Sequence, residues 1–372
     1  MQQLHLITDL HELMGSRQQW NQVAVHCPLH SWEWMSEWSR HLGSDLELSV
    51  LVAKDHEGNW KGIAPLCIEL TKTLSKKIRF IGSGNACTDY ATLICADCDR
   101  AQFAELIADW FIQDSGYDSD AEAVAYDLIE LEGVTEDDPI LEILKQRLTE
   151  ARFSIYETEL EGSWVVSLPE TWGEFHKSFS KSMRRKTKEA AKRLDAESTT
   201  IVSSRDGDFD SIWKTFCDLH QQRRAMMGQD GCFSCVRFES FLYNATRQLA
   251  GQDLAEITVI QSNDQALASM LTFIKGETLM MYQSGFNPKR QNESPGYQIV
   301  LQAVRNAFER GLSEFDLMRG DEPYKARWNT SRVPLKSLRL VPPRFSALVR
   351  QNLWMSAKSI KEAVSRFGML AK

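Results

Sequence analysis

The stretch EFDLMRGDEPYKARWN, Glu314 to Asn329, decides how this 372-residue chain is read. An apolar run suited to a strand ends at Gly320, and two acids, a proline, a tyrosine, a lysine, an arginine and a tryptophan follow at once. A buried strand that delivers such groups at its end reads as the edge of a functional site. Tyr324 can donate a proton or hydrogen bond at neutral pH, which makes it a candidate general acid. Asp316 within the strand and Asp321 just past it are candidates for deprotonating an ammonium group. Lys325 and Arg327 are candidates for binding an anion. Each has a structural alternative: Asp321 as a helix cap, Tyr324 and Trp328 as core at spacing four, Arg327 as a partner of Asp316.

One helix upstream, residues 285–296 read GFNPKRQNESPG and join a strand to a helix. Ser294 suits the N-cap and Pro295 the first helical position. A helix N-terminus presents free N–H groups and partial positive charge, a setting that favours phosphate oxygens. Gly296 permits close approach of a ligand, and Lys289 and Arg290 add charge. A plain well-capped helix is the competing reading. The order is strand, cradle, helix, strand, motif.

Around this core the second half carries strands at 163–169, 199–204, 255–263, 266–276 and 278–286, and at 336–342. The helices are expected at 171–194, 208–228, 234–250 and 295–311. Asn263-Asp264 marks a hairpin turn. The first half mixes helices (32–42, 101–113, 139–151) with strands (46–54, 62–70, 77–82, 89–95, 126–134). The acidic stretch 114–122 reads as a surface loop. The expected units are residues 1–160, 161–343 and a helical tail, 344–372.

Composition fits a globular protein, with 43% apolar and 25% charged residues and a net charge of −8. That charge argues against a general nucleic-acid coat and leaves room for a local basic patch. The first residues carry acids and no apolar core, which is not the pattern of a signal peptide. No apolar run is long enough for a membrane span, so a cytoplasmic protein is expected. The eight cysteines read as reduced thiols. Two CxxC pairs, Cys95/Cys98 and Cys232/Cys235, are read as ordinary side chains, with no metal site expected. No G-x-S-x-G motif and no Cys–His pairing is evident.

Residues 163–328 resemble the GNAT-like acyltransferase domain of the CelD-like family, named for a protein linked to cellulose biosynthesis and related to the Fem-type aminoacyltransferases. The resemblance rests on SWVVSLPETWGEFHKSFSKSMRRKTKEAAKRL, ASMLTFIKGETLMMYQSGFNPKRQNESPG and FDLMRGDEPYKARW. The first half is more loosely similar, through Trp34, Trp38, Ala64-Pro65-Leu66 and Asp89-Tyr90. The resemblance implies an α/β (α+β) chain of two tandem GNAT-like folds, each a mixed, mostly antiparallel sheet flanked by helices. It implies acyl transfer from acyl-CoA or acetyl-CoA to a small-molecule or saccharide amine, with aminoacyl-tRNA as the alternative donor and a silent assembly component as the alternative role. The usual phosphate loop R/Q-x-x-G-x-G/A is not met by Arg290 to Pro295, which puts acetyl-CoA itself in doubt. A thioester is already activated, so positioning supplies much of the rate and no nucleophile triad is required.

Lys177, Lys181, Arg184, Arg185, Lys186, Lys188, Lys192 and Arg193 crowd one helix. Arg184 and Lys188 share a face, and Arg185 joins them as a candidate anchor for donor phosphates. The competing reading is a solvated face over Phe175, Phe179, Met183 and Leu194. His220, Arg223 and Arg224 near the end of the next helix could line a groove, and are read chiefly as helix-end cations. The tail, with Leu348, Val349, Leu353, Ile360, Val364 and Phe367 and six basic residues against one acid, is an amphipathic helix. It suits an anionic membrane surface or packing across the protein. Oligomeric state and acceptor identity are not legible.

Overall fold

A computed structural model describes residues 3–25, 27–71, 75–114 and 126–370, with side chains to residue 357 in the last helix. The acidic stretch falls outside the described residues from 115 onward.

The first half runs β1 (Gln3–Ile7), α1 (Leu10–Gly15), α2 (Arg17–Val23), α3 (Trp32–His41), β2 (Glu47–Leu48), β3 (Val50–Lys54), β4 (Trp60–Ala64), β5 (Leu66–Leu70), β6 (Lys76–Phe80), β7 (Ile94–Cys95), α4 (Arg100–Asp114), β8 (Leu128–Thr135), α5 (Pro139–Glu150) and β9 (Ser154–Glu159). The run expected as one strand over 62–70 is two. Pro65 lacks an N–H for a ladder, and there the chain passes from one sheet to another.

The second half runs β10 (Ser163–Ser167), α6 (Trp172–Ser178), α7 (Lys181–Leu194), β11 (Thr199–Ser203), α8 (Phe209–Met226), α9 (Val236–Ala250), β12 (Ala255–Ser262), β13 (Gln265–Lys275), β14 (Thr278–Phe286), α10 (Pro295–Glu309), β15 (Glu314–Arg319) and β16 (Ser331–Val333). β17 (Leu335–Val341) and α11 (Phe345–Leu370) close the chain. The basic helix expected over 171–194 is broken in two. Thr171 caps the first piece and Ser180 the second, each accepting a backbone N–H, and Phe179 between them is extended. That break turns the Phe179 ring edge-on to Phe175 and Trp328 in the core. The turn at Asn263-Asp264 forms with both residues at positive φ, as a tight hairpin requires.

Three sheets carry these elements: β1-β3-β4-β7 is antiparallel throughout, and β2-β5-β6-β8-β17-β9 and β11-β12-β13-β14-β15-β10-β16 are mixed. One strand, β17, crosses between the halves. β10 leaves the edge strand β9 and inserts between β15 and β16 of the second sheet. β17 then returns and inserts between β8 and β9 of the first. Residues 335–341, expected within the second unit, therefore belong to the sheet of the first.

Each half holds one parallel pair joined through a helix. β6 pairs β8 over Lys77–Arg79 and Leu128–Glu130. β14 pairs β15 over Thr278–Met280 and Glu314–Asp316. Beyond these three-residue ladders the strands part. β14 also bulges at Tyr282, between the partners of Leu271 and Thr272. The extra residue switches the faces, so Ser284 and Phe286 turn toward α10. Gly285 then faces α8 so closely that a Cβ would lie 2.3 Å from the His220 backbone nitrogen.

Candidate functional site

Where β14 and β15 part, a cavity of about 410 Å³ opens. Its walls come from the end of β14 (Ser284, Gly285, Phe286), the start of α10 (Ser294 to Tyr297, Ile299, Val300), Tyr324 and Trp328 beyond β15, and Arg223 from α8. Three separate stretches of sequence thus converge: the cradle, the opening motif and the α8 terminus. This size and mostly apolar lining suit a small ligand with a few polar anchors.

Tyr324 stands on the wall. Burial, reinforced by the charge of Glu322, pushes its phenol up to about 12. It therefore stays protonated at neutral pH, able to donate.

The cradle differs in detail from its sequence signature. Ser294 sits at the start of α10 with φ +57, and its side chain makes no cap. Its carbonyl instead accepts from Tyr297 N at 3.0 Å and Gln298 N at 3.3 Å. Pro295 has no N–H, so Gly296 supplies the first-turn amide that is without an acceptor among the described residues. A Cβ at Gly296 would meet nothing within 4 Å, so this backbone faces open space. Arg290 is turned away: it bridges Glu293 at 2.5 Å and reaches Ser262 O at 3.0 Å. Lys289 is exposed and does not line the cavity.

Three of the motif's other residues are held elsewhere. Lys325 is only 2% exposed, and its Nζ donates to Met318 O at 2.9 Å and Arg319 O at 2.8 Å while pairing with Glu322 at 3.0 Å. It locks the turn at Gly320 (φ +127). Asp321 accepts from Trp164 Nε1 at 3.1 Å and Arg332 Nε at 3.3 Å, on the far side of β10. Asp316 is buried at the joint between the halves. It accepts from Ser163 Oγ at 2.7 Å, Met318 N at 2.7 Å and the Tyr90 hydroxyl. Burial raises its pKa despite these bonds. The bond to Met318 N holds that residue at φ +58, in the left-handed region a methionine seldom occupies. Asp316 lines a separate cavity of about 330 Å³ with Tyr90, Lys275 and Glu314. Arg327 does not pair with Asp316: its Nη1 donates to Tyr297 Oη at 3.1 Å.

The basic face of α7 divides. Arg184, Arg185 and Lys188 are exposed; Arg184 reaches Lys177 O at 3.2 Å and Arg185 faces Glu189 at 3.8 Å. Other members of the helix touch the site. Lys186 Nζ lies 3.4 Å from Tyr297 Oη and 5.0 Å over its ring, and Arg193 Nη1 reaches Asn292 O at 3.5 Å.

Two features go against the favoured sequence reading. Arg223, read chiefly as a helix-end cation over the alternative of lining a groove, lines the cavity. Cys27 and His30 are hydrogen-bonded, against the expectation of no Cys–His pair. Burial alone would raise the Cys27 thiol, but the neighbouring imidazole brings it down to about 7. His30 Nε2 in turn bonds Tyr90 O at 2.8 Å, so this pair braces the joint and lies off the cavity. The spacing Cys-x-x-His was visible but carries no signal without the fold. All eight cysteines are free thiols.

Residues 177–326 match the family model for an acetyltransferase (GNAT) domain. No curated protein matches the chain in sequence. In structure it is similar to FemX, at 13% identity and TM-score 0.60, covering 90% of this chain and 96% of that one. It is similar to L-PGS from Bacillus licheniformis, at 10% identity and TM-score 0.55, covering 93% and 97%. A third is the C-terminal domain of an Agrobacterium fabrum protein described as a lysylphosphatidylglycerol synthetase, at 10% identity and TM-score 0.55, covering 92% and 95%. At these identities the likeness is one of fold. The chain is thus a mixed α/β protein whose residues 177–326 match an acetyltransferase (GNAT) domain. The narrower CelD-like resemblance finds no counterpart in these matches.

Proposed function

We propose that the chain is an N-acyltransferase whose second half binds an acyl thioester such as acyl-CoA, with the acyl end in the 410 Å³ cavity. The observation that carries this reading is the parting of β14 and β15 around Tyr324, inside the segment that matches the GNAT domain. The amine nitrogen attacks the acyl carbonyl, the C–S bond breaks, Tyr324 passes its proton to the leaving sulfur, and the proton released by the amine nitrogen returns through water to the Tyr324 oxygen. Gly296 N–H and the cations at the rim, Lys186 and Arg327, face the remainder of the donor. The acceptor is a small-molecule or saccharide amine, in a polysaccharide or cell-envelope setting.

Release of free thiol from acyl-CoA in the presence of candidate amines tests the proposal. Tyr324→Phe is expected to lower turnover by roughly 10²- to 10⁴-fold with the fold intact. Undiminished turnover in that variant would remove the general-acid role, and no turnover with any ester would favour a non-catalytic chain.

One observation favours a second donor, an aminoacyl-tRNA ester. The first turn of α10 offers a diphosphate a single amide, while Arg184, Arg185 and Lys188 project outward as a track for a longer polyanion. Binding abolished by ribonuclease and weakened by neutralising these three residues would favour it over CoA. A peripheral membrane contact belongs to the same proposal. α11 exposes Phe345, Val349 and Leu353, and Arg350 and Arg344 pin its start to Asp127. Co-sedimentation with anionic vesicles tests it. Among the described residues no helix is long and apolar enough to cross a membrane.

A further inference from the structure

The cavity carries an unbalanced charge. Arg223 is the one charged residue that lines it among the described residues. The side chain leaves α8, and its Nη1 reaches Ser284 Oγ at 3.0 Å and Ser284 O at 3.4 Å. The guanidinium lies 5.4 Å over the Phe286 ring. The bulge in β14 has turned Ser284 and Phe286 away from α8, so Arg223 must pass through the gap between β14 and β15 to meet them. Among the described residues it makes no ion pair. The nearby acid Glu322 is held by Lys325 Nζ at 3.0 Å. Other arginines of the second half pair with acids, Arg290 with Glu293, Arg305 with Asp195 and Arg332 with Glu159, while Arg224 and Arg327, which do not line the cavity, bond the neutral oxygens of Gln229 and Tyr297.

Arg223 is half-buried, and a guanidinium partly withdrawn from water without a counter-ion is costly. Burial accordingly weakens the hold of Arg223 on its proton. A second donor is also unmatched. Trp328 is 1% exposed and lines the cavity, and its indole N–H has no acceptor. A cation without a counter-ion and an indole N–H without an acceptor among the described residues call for oxygens brought by the ligand.

We propose that the acyl group held in this cavity carries a carboxylate of its own, anchored by Arg223, so that the donor is the monothioester of a dicarboxylic acid. This rests on the donor reading above. A planar carboxylate fits the fork of a guanidinium edge. One cation balances one carboxylate. A phosphate dianion would leave net negative charge against Phe286, Pro295, Ile299, Val300 and Trp328. An acyl group with a free ammonium would be repelled by Arg223.

The test titrates the full chain with glutaryl-CoA and pentanoyl-CoA, which differ by one carboxylate, and separately with free glutarate and with inorganic phosphate. Glutaryl-CoA should bind roughly tenfold tighter or more. Arg223→Met should erase the difference, and Arg223→Lys, which keeps the charge and tests for a folding defect, should retain part of it. Equal affinity for the two esters, or a preference that survives Arg223→Met, overturns the proposal while leaving the donor reading in place. Glutarate binding that depends on Arg223, with no ester bound, supports the anion site and sinks the donor reading instead. Phosphate binding more tightly than glutarate overturns the assignment to carboxylate.

Discussion

Each half of the molecule contains one pair of parallel strands joined through a helix, and the two pairs end differently. In the first half, the chain leaving β6 folds back into the gap. Ile81 N bonds Pro65 O, Thr88 Oγ1 bonds Gly82 O, and Ala91 N bonds Gly133 O of β8. Asp89 and Tyr90 then reach across to Arg319 and Asp316 on β15. In the second half the connection over 287–294 stays outside the gap, and a cavity remains. The same local architecture therefore gives a structural joint in one place and a ligand-sized space in the other. What separates them is the length and course of the loop: residues 81–99 in the first half and 287–294 in the second.

The largest effect should come from separating the halves. A fragment of residues 1–160 lacks β17, which lies between β8 and β9, so it should show no cooperative melting alone. A sharp melting transition would mean that the crossing of β17 is dispensable.

Next in size is alanine at a glycine in each gap. Gly133 has φ +81, and a Cβ there would lie 2.7 Å from Thr88 O. Gly133→Ala should lose roughly 2–5 kcal/mol by denaturant unfolding, from left-handed strain and overpacking. Gly296→Ala is the smallest of the effects, within about 0.5 kcal/mol, since nothing lies within 4 Å of the added carbon. Equal costs at the two sites would erase the distinction between a filled and an open gap.

Between these lies a pH effect at the joint. Burial outweighs Arg319 and pushes Asp89 up to about 6. The folded state then holds this proton more tightly than the unfolded state, whose carboxyl titrates near about 4. Stability relative to Asp89→Asn should therefore rise as pH falls from about 6 to about 4, by up to about 3 kcal/mol. The opposite slope would show that the contacts of Arg319, 2.6 Å from Asp89 through both Nε and Nη2, outweigh burial.

Much of the second half was legible because its strands and helices carry their own periodicity. The runs over 255–263, 266–276 and 278–286, the helix over 295–311 and the turn at Asn263-Asp264 appear close to where the pattern puts them. The cradle and Tyr324 also come together, as the order strand, cradle, helix, strand, motif implies. The crossing of β17 was not legible, because it reads as an ordinary strand and nothing local says which sheet receives it. Arg223 was read first as a helix-end cation because its place in the cavity depends on a bulge that turns Ser284 and Phe286, not on its own helix. Lys325 looked reactive next to Tyr324, but its burial against two carbonyls is set by the turn at Gly320. Ser294-Pro295 signalled a helix start correctly, while the left-handed Ser294 altered which amides remain free.

The most direct measurement is calorimetric titration of acyl-CoA esters into the full chain and into Val300→Trp, whose larger side chain fills the cavity beneath α10. Saturable binding by the native chain, lost in a variant that keeps its melting profile, is the predicted result. Binding that is equal in both, or absent in the native chain for every ester, would contradict the assignment of the open gap as the donor site.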